Sequence, residues 1–225
     1  MAYCTVALPI EEHNLSKSES VGLLDGTIMS LWFLCEAWDN STAYHQSRTA
    51  CLAHAIAREM DIPEENRHGI YMAALVHDIG KMALPKQILY KPTRLDDSEY
   101  REIQKHCSAG YNTLTSMGVI WPIPEAVLQH HERVDGSGYP HGVRASDIAI
   151  EARIISVADV LDALISDRPY RPSLSLDTAL AEIVNNRDIL YDANVVDACL
   201  QLFMQGSYTL SRLPHQNATG ILCPS

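Results

Sequence analysis

Side chains that commonly bind metal ions recur along this chain at intervals of roughly 24 to 32 residues, about the length of one helix and its connection. They are His45, the pair His77-Asp78, His106, the pair His130-His131, and Asp159. If each helix of a bundle carries one of them, all can face a common centre. The spacing therefore favours a fold in which several helices surround one site.

The hydrophobic pattern predicts an all-α fold of about eight helices, because no window shows the sustained alternation of a strand. Three predicted helix starts carry their own signals: the acidic residues after Leu95, Pro124 in a first turn, and Ser175 as a cap. The predicted helices cover residues 18–38, 41–60, 65–78, 95–117, 123–132, 149–166, 176–186 and 193–205.

Composition excludes some partners and compartments. The formal net charge of −11 repels long nucleic acids, so extended DNA or RNA is not an expected partner. The six cysteines form no C-x-x-C pair and are expected to be reduced thiols. No basic stretch precedes an apolar run at the N-terminus, and the apolar segment Ile28–Cys35 is shorter than a membrane span. These features predict a soluble cytoplasmic protein with no membrane partner.

Taken singly, most of the candidate residues are ordinary. A lone histidine on an amphipathic helix is more often a core or surface residue than a metal ligand. Asp159 is harder to explain, because apolar residues flank it at 157–158 and 160–161, and a buried carboxylate without a partner is costly. Five histidines and two aspartates spread over successive predicted helices therefore indicate a metal centre.

Three motifs resemble one family. The motif LVHDIGK at 75–81 is similar to the signature of HD-domain metal-dependent phosphohydrolases. Together with HHERVDGSGYP at 130–140 and SVADVLDALISDRPYR at 156–171, it resembles the HD-GYP subfamily of cyclic-dinucleotide phosphodiesterases. The resemblance runs from about residue 39 to about residue 204. It implies an HD-domain helical bundle at 39–206, with an N-terminal helical extension at 1–38 and a C-terminal tail at 207–225.

The resemblance implies a site for two divalent metal ions, and the imidazole and carboxylate ligands suit iron or manganese better than structural zinc. Asp78 would bridge the two ions, and a hydroxide held between them would attack phosphorus and expel the 3′ oxygen. The implied ligands are His45, His77, Asp78, His106, His130 and Asp159, with His131 as a ligand or near-ligand.

The resemblance also implies substrate contacts. Lys81 would act catalytically by neutralising charge on the phosphoryl oxygens. Arg168 and Arg171 would pair with phosphate oxygens, and the less favoured alternative from residue type alone is a solvated loop. Tyr139 would line the pocket or present an edge on which a partner protein docks.

Some positions depart from the family pattern. Ser41 stands where some members have a glutamate that holds a third metal, so we expect two metals rather than three. Val134 and Ala145 stand where tryptophan and glycine are common. In the loop at 135–142, Gly136 and Gly138 permit positive φ, as in a simple turn.

The leading functional hypothesis is hydrolysis of cyclic di-GMP to the linear dinucleotide, and further to GMP. Cyclic GMP-AMP is an alternative substrate, because no residue in the motifs selects guanine over adenine, and another phosphoester is a second alternative. A third is a module that binds a nucleotide or a protein without hydrolysis, which the complete ligand set disfavours. The N-terminal helix could pack against the catalytic core or form a homodimer, and the apolar segment Ile28–Cys35 favours the homodimer.

Overall fold

A computed structural model describes residues 17–119, 122–167 and 172–208. Within these ranges the chain forms ten α-helices and two short 3-10 helices, with one isolated β-bridge and no strand, so the all-α prediction is confirmed. The α-helices are α1 (Lys17–Trp38), α2 (Asn40–Glu59), α3 (Glu64–Leu75), α4 (Lys86–Leu89), α5 (Asp97–Gln104), α6 (His106–Ser116), α7 (Ile123–Gln129), α8 (Ile150–Ile165), α9 (Leu176–Asn185) and α10 (Ala193–Met204). The 3-10 helices are Ile79–Ala83 and Ala145–Asp147.

Helix α2 lies at the centre of the bundle and packs against α1, α3, α8 and α10. Its buried face is rich in small residues, and Ala50, Ala53 and Ala57 are fully buried, as are Ala73 and Ala74 of the adjacent α3. Small side chains let neighbouring helix backbones approach closely. Helix α2 can therefore contact several helices at once, which brings the residues that it carries close to those of α3 and α8.

Helix α1 packs on α2 and α3 through one apolar stripe, formed by Ile28, Leu31, Trp32 and Cys35. These residues belong to a longer apolar segment, Val21–Trp38, which by length and mean hydropathy alone meets the requirement for a helix that crosses a membrane. Only 22% of that segment is buried in the bundle. The apolar segment of α1 is therefore longer than Ile28–Cys35, the segment that the sequence pattern indicated.

The predicted helix boundaries are wrong at three places beside the site. The predicted helix at 123–132 ends at Gln129, so that His130 and His131 lie beyond it. The third predicted helix ends at Leu75, so that His77 and Asp78 lie in the turn after it rather than in its last turn. The predicted helix at 95–117 is in fact two helices, α5 and α6, which break at Lys105. His106 is accordingly the first residue of α6 and does not lie in mid-helix. The short helix α4 was not predicted.

The predicted helix starts are confirmed. The side chain of Asp96 accepts hydrogen bonds from the first turn of α5, and Glu99 completes a capping box. Ser175 accepts from the backbone N–H of Thr178 at the start of α9, and Pro124 lies in the first turn of α7. Local sequence therefore determines where these helices begin, although it does not determine where α3 and α5 end.

Candidate metal centre

The residues that the sequence predicts as metal ligands converge on one buried centre. Their ligand atoms form two groups, and within each group all the atoms lie within 4.8 Å of one another. One group is Asp78, His106, His130 and His131, and the other is His45, His77 and Asp78. Asp78 belongs to both groups and links them.

Asp159 reaches the same centre from α8 and lies beside both groups. Its Oδ1 atom is 2.9 Å from Nε2 of His45 and 3.8 Å from Nε2 of His77. Its Oδ2 atom is 4.0 Å from Nδ1 of His131. The carboxylate of Asp159, which has apolar neighbours in the sequence, is thus surrounded by three imidazoles in the structure.

Three of the histidines are positioned by the same kind of hydrogen bond at the ends of helices. Each lies one or two residues past a helix end, and its Nδ1 atom bonds the backbone carbonyl three residues earlier, one of the carbonyls that the helix leaves without a partner. The bonds run from His77 to Ala74, from His106 to Ile103 and from His130 to Val127, at 2.8, 2.8 and 2.7 Å. Because a carbonyl oxygen only accepts, Nδ1 carries the proton, and Nε2 presents its lone pair to the centre.

His45 is positioned by a carboxylate instead. Its Nδ1 atom lies 2.6 Å from Oδ2 of Asp162, and Arg48 donates from Nε and Nη2 to the two oxygens of that carboxylate at 2.7 and 2.9 Å. Burial alone would lower the pKa of His45, but its hydrogen bonds to Asp159 and Asp162 outweigh burial and raise it to about 9. The ring is therefore fixed with Nε2 turned toward Asp159.

The charge states of Asp78, His130 and His131 suit metal binding, whereas a metal ion must displace a proton from His45, whose pKa is raised. Burial disfavours the ionised form of Asp78, but Lys81 and the neighbouring imidazoles outweigh it and hold the pKa well below its usual range. The Nζ atom of Lys81 lies 2.5 Å from Oδ2 of Asp78. Burial lowers the pKa of His131 to about 3 and that of His130 well below its ordinary value. Ionised carboxylate and neutral imidazole are the forms that coordinate metals.

Two buried ligand atoms have no hydrogen-bond partner within the described ranges: Nε2 of His77 and Oδ1 of Asp78. Buried polar atoms without a partner are costly and uncommon, and a cation would satisfy both. The thiol of Cys107 lies 3.5 Å from Nε2 of His106, but burial raises its pKa, so it remains protonated. The donor set is therefore imidazole and carboxylate, which fits divalent metal ions.

A glycine allows this centre to close. A Cβ atom on Gly80 would lie 1.9 Å from the backbone oxygen of His106 and 2.5 Å from the backbone nitrogen of Gly110. The 3-10 turn that follows Asp78 therefore lies directly against α6. This contact explains the glycine of the LVHDIGK motif, and it holds Lys81 and His106 on either side of Asp78.

The loop at 135–142, called the Gly/Pro loop below, covers one side of the centre. The ring of Tyr139 stacks on His131 with centroids 4.7 Å apart and an interplanar angle of 32°. Gly136 has a φ of 81°, in the left-handed region that favours glycine, whereas Gly138 does not have a positive φ. Gly138 is required for a different reason, because a Cβ atom there would lie 2.4 Å from the backbone nitrogen of Arg133.

A buried glutamate holds this loop in place. Oε1 of Glu132 accepts hydrogen bonds from the backbone N–H groups of His141 and Gly142 at 2.7 and 3.2 Å. Glu132 is 2% exposed and directly follows the histidine pair. The loop that carries Tyr139 is thus tied to the same turn that carries His131.

A cavity of 300 Å³ opens onto the centre. Its polar lining comes from the candidate ligands and from Lys81, and its apolar lining comes from α5 and α8. The lining residues are His45, Asp78, Lys81, Ile103, His106, His131, Tyr139, Asp159, Val160, Ala163 and Leu164. An anionic phosphodiester would meet Lys81 and any bound cations on one side and apolar surface on the other.

The remaining predicted residues are less informative. Arg168 and Arg171 lie outside the described residues. Ser41 is exposed in the first turn of α2, where its backbone N–H donates to the capping Asp39, and it does not join either donor group. The predicted site did not include Asp162, although this residue lies one helical turn after Asp159 in the same apolar helix and the same argument from burial applies to it.

The chain matches the family model described as "HD domain" over residues 37–195. It is 37% identical to the "Cyclic di-GMP phosphodiesterase response regulator RpfG" of Xanthomonas campestris, a match covering 87% of this chain and 52% of that protein. It is 39% identical to the "Cyclic di-GMP phosphodiesterase" of Thermotoga maritima, covering 75% of this chain and 46% of that protein. The chain thus spans about half the length of these curated relatives.

A solved structure has the same architecture. The crystal structure of a cyclic GMP-AMP-specific phosphodiesterase of V. cholerae, V-cGAP3, superposes with a TM-score of 0.55 at 28% identity. The match covers 87% of this chain and 44% of that one. The resemblance that the three motifs carry is therefore confirmed over most of the described chain.

Proposed function

This chain belongs to the HD domain family, and on that premise we propose that it is a metal-dependent phosphodiesterase that opens cyclic dinucleotides, with cyclic di-GMP as the leading substrate. The observation that carries the proposal is the sharing of Asp78 by two groups of ligand atoms. A carboxylate placed between two donor groups can bridge two ions, the arrangement used to cleave phosphate esters.

We assign the first metal to His45, His77 and Asp78, and the second to Asp78, His106, His130 and His131, with Asp159 completing the first. Two ions rather than three are proposed, because Ser41 offers no strong ligand in place of a glutamate. Iron or manganese is proposed because the donors are imidazoles and carboxylates with no thiolate. When bound, such ions lower the pKa of a coordinated water and neutralise charge on the phosphoryl oxygens.

Residues of the chain itself stabilise the charge that develops in the reaction and cover the centre. Hydrolysis adds water across the P–O3′ bond and leaves a terminal phosphate and a free 3′ hydroxyl group. Lys81 is placed at the mouth of the centre, where its ammonium group can stabilise charge that develops on the phosphate. Tyr139 and the loop that Glu132 holds cover His131 and limit the access of bulk water.

Cyclic di-GMP is the first candidate substrate because that nucleotide appears in the names of the two curated relatives described above. Cyclic GMP-AMP is the second, since V-cGAP3 is named for that substrate and matches most of this chain. Conversion of the linear product to GMP is a further step that we propose for the same centre.

Several wider assignments belong to this proposal. We propose an N-terminal extension at 1–38, a catalytic domain at 39–206 and a tail at 207–225, with Arg168 and Arg171 as substrate contacts. We propose a cytoplasmic location, homodimerisation through α1, and docking of a partner protein on the Gly/Pro loop. Light scattering at micromolar concentration tests the dimer, which a monomer would contradict.

The test of the activity uses protein purified without oxygen. Metal content is measured first, and products are then separated by chromatography after incubation with cyclic di-GMP, cyclic GMP-AMP and a small phosphodiester. We expect about two metal ions per chain and a linear dinucleotide from at least one cyclic substrate. Bound metal with turnover of the small ester alone would point to another phosphoester, and metal without any turnover would point to a binding module.

A further inference from the structure

A second cavity, of 660 Å³, lies beside the metal centre between α4 and α5. Its walls include the aliphatic side chains of Ile88, Leu89 and Leu95, and its charged residues are Lys91 and Arg94. The volume falls within the range of pockets that bind small molecules, and a mainly apolar wall with a few charged groups is typical of them. None of these residues takes part in the proposed metal chemistry.

The second cavity shares one lining residue with the first. Ile103 lines both cavities. Its backbone carbonyl also accepts the hydrogen bond from Nδ1 of His106 that fixes that ring. The residue that positions one candidate ligand therefore also lines both cavities, so the second cavity adjoins the metal centre.

The two cations of the second cavity differ in their pairing. Lys91 is bound to Glu99, with Nζ 2.6 and 2.5 Å from the two carboxylate oxygens, so its charge is already neutralised. Arg94 is exposed and forms no ion pair with any residue in the part of the chain that the structure describes. In a chain whose net charge is −11, a free guanidinium group beside an apolar pocket favours an anionic ligand. Its planar fork matches two phosphate oxygens.

We propose that this cavity binds the second nucleotide unit of the substrate, with the base against the aliphatic walls and the uncleaved phosphate on Arg94. The inference rests on the proposed function and deepens it. A cyclic dinucleotide carries two phosphates and two bases, and only one phosphate can occupy the metal centre. The distal half of the molecule needs a place next to that centre, which the cavity behind Ile103 provides.

The experiment compares Arg94→Ala with Arg101→Ala, which removes an exposed arginine on α5 that does not line the cavity. Each variant is assayed with the cyclic dinucleotide and with bis(p-nitrophenyl) phosphate, which has no second nucleotide. We expect Arg94→Ala to raise KM for the dinucleotide about tenfold, as loss of a hydrogen bond to a charged group would, and to leave kcat/KM for the small ester unchanged. Arg101→Ala should change neither value.

Binding is measured separately from activity. Calorimetric titration of cyclic di-GMP into chelator-treated protein should give a Kd about tenfold weaker for Arg94→Ala than for wild type. An equal Kd for the two proteins, or an equal loss on both substrates in the activity assay, would overturn the subsite. If the wild-type protein hydrolyses no phosphodiester, the proposed function fails while the binding titration still decides whether the cavity takes a nucleotide.

Discussion

Nδ1 of His45 and Oδ2 of Asp162 are 2.6 Å apart, and this contact joins α2 to α8 at the edge of the metal centre. Asp162 is itself held by two hydrogen bonds from Arg48. Although burial opposes ionisation, the bonds from His45 and Arg48 keep the pKa of Asp162 below its usual value. The carboxylate therefore fixes both the tautomer and the orientation of the ring.

Replacing Asp162 with asparagine should weaken metal binding without removing a ligand. An amide orients His45 less strongly than a carboxylate, and loss of such a partner typically lowers metal affinity about 10–100-fold. Competition between the protein and a chromophoric chelator for Mn²⁺ measures the change. Asp197→Asn, which breaks only an exposed ion pair with Arg187, is the control. Equal affinities for the two variants would rule out a positioning role for Asp162.

The two donor groups should be separable by stoichiometry. His45→Ala removes a ligand from one group only, so we expect the variant to retain about one metal ion per chain. Asp78→Asn weakens the residue that both groups share, and should reduce the content toward zero. Elemental analysis after gel filtration gives the numbers, and far-UV circular dichroism checks that each variant folds. An equal metal content in both variants would contradict a shared carboxylate.

The sequence predicted which residues form the metal centre but not where they lie relative to the ends of their helices. The recurrence of histidine and aspartate at helical intervals was enough to predict an all-α bundle with a common centre. It could not reveal that His77 and His106 lie just past helix ends. That detail depends on their rings bonding the last helical carbonyls, and the tertiary packing of Gly80 against α6 determines it.

The residues that the sequence missed share a physical character. Asp162 and Glu132 are both buried carboxylates. Asp162 bonds His45 and Arg48, which are far away in the chain, and Glu132 bonds the backbone N–H groups of the loop that follows it. The local pattern around Glu132 does not distinguish it from a solvent-facing acid in a loop, and Asp162, although it lies in an apolar helix, has partners that only the tertiary structure brings to it. The cavity behind Ile103 was missed because its walls come from α4, from Ile103 of α5 and mostly from the loop between the two helices, whose arrangement no periodicity predicts.

A methyl group at Gly80 should disrupt the centre. The added Cβ atom would meet backbone atoms of α6 rather than a movable side chain, so α6 and His106 must shift. We expect Gly80→Ala to lower the free energy of unfolding by about 3 kcal/mol, measured by urea denaturation, and to weaken Mn²⁺ binding.

Gly26→Ala is the matched control for that experiment. Gly26 lies within α1, and a Cβ atom there has no neighbour within 4 Å, so alanine should stabilise the helix by about 0.5–1 kcal/mol. A Gly80→Ala protein as stable as wild type would show that the close contact between the 3-10 turn and α6 is not needed.

The bonds from Glu132 to the Gly/Pro loop should contribute measurably to stability. Glu132→Ala leaves the N–H groups of His141 and Gly142 without their acceptor, and should lower the free energy of unfolding by about 1–2 kcal/mol. Glu132→Gln keeps an oxygen that can accept both bonds and should lose less. Urea denaturation in the presence of a chelator separates this effect from metal binding. Equal losses in the two variants would assign the effect to charge rather than to the loop bonds.

Ala145 occupies a position at which glycine should be better. Its φ is 39°, in the left-handed region that costs a residue with a Cβ atom roughly 1–2 kcal/mol, and its side chain is exposed, so alanine gains no packing there. Glycine is more flexible in the unfolded chain, which offsets part of the gain. We therefore expect Ala145→Gly to raise the free energy of unfolding by about 0.5–1 kcal/mol without changing metal content.

Ala181, exposed within α9, is the matched control, since Ala181→Gly should destabilise the protein by about 1 kcal/mol. Shifts of the same sign in the two variants, measured side by side in urea, would refute backbone strain at Ala145.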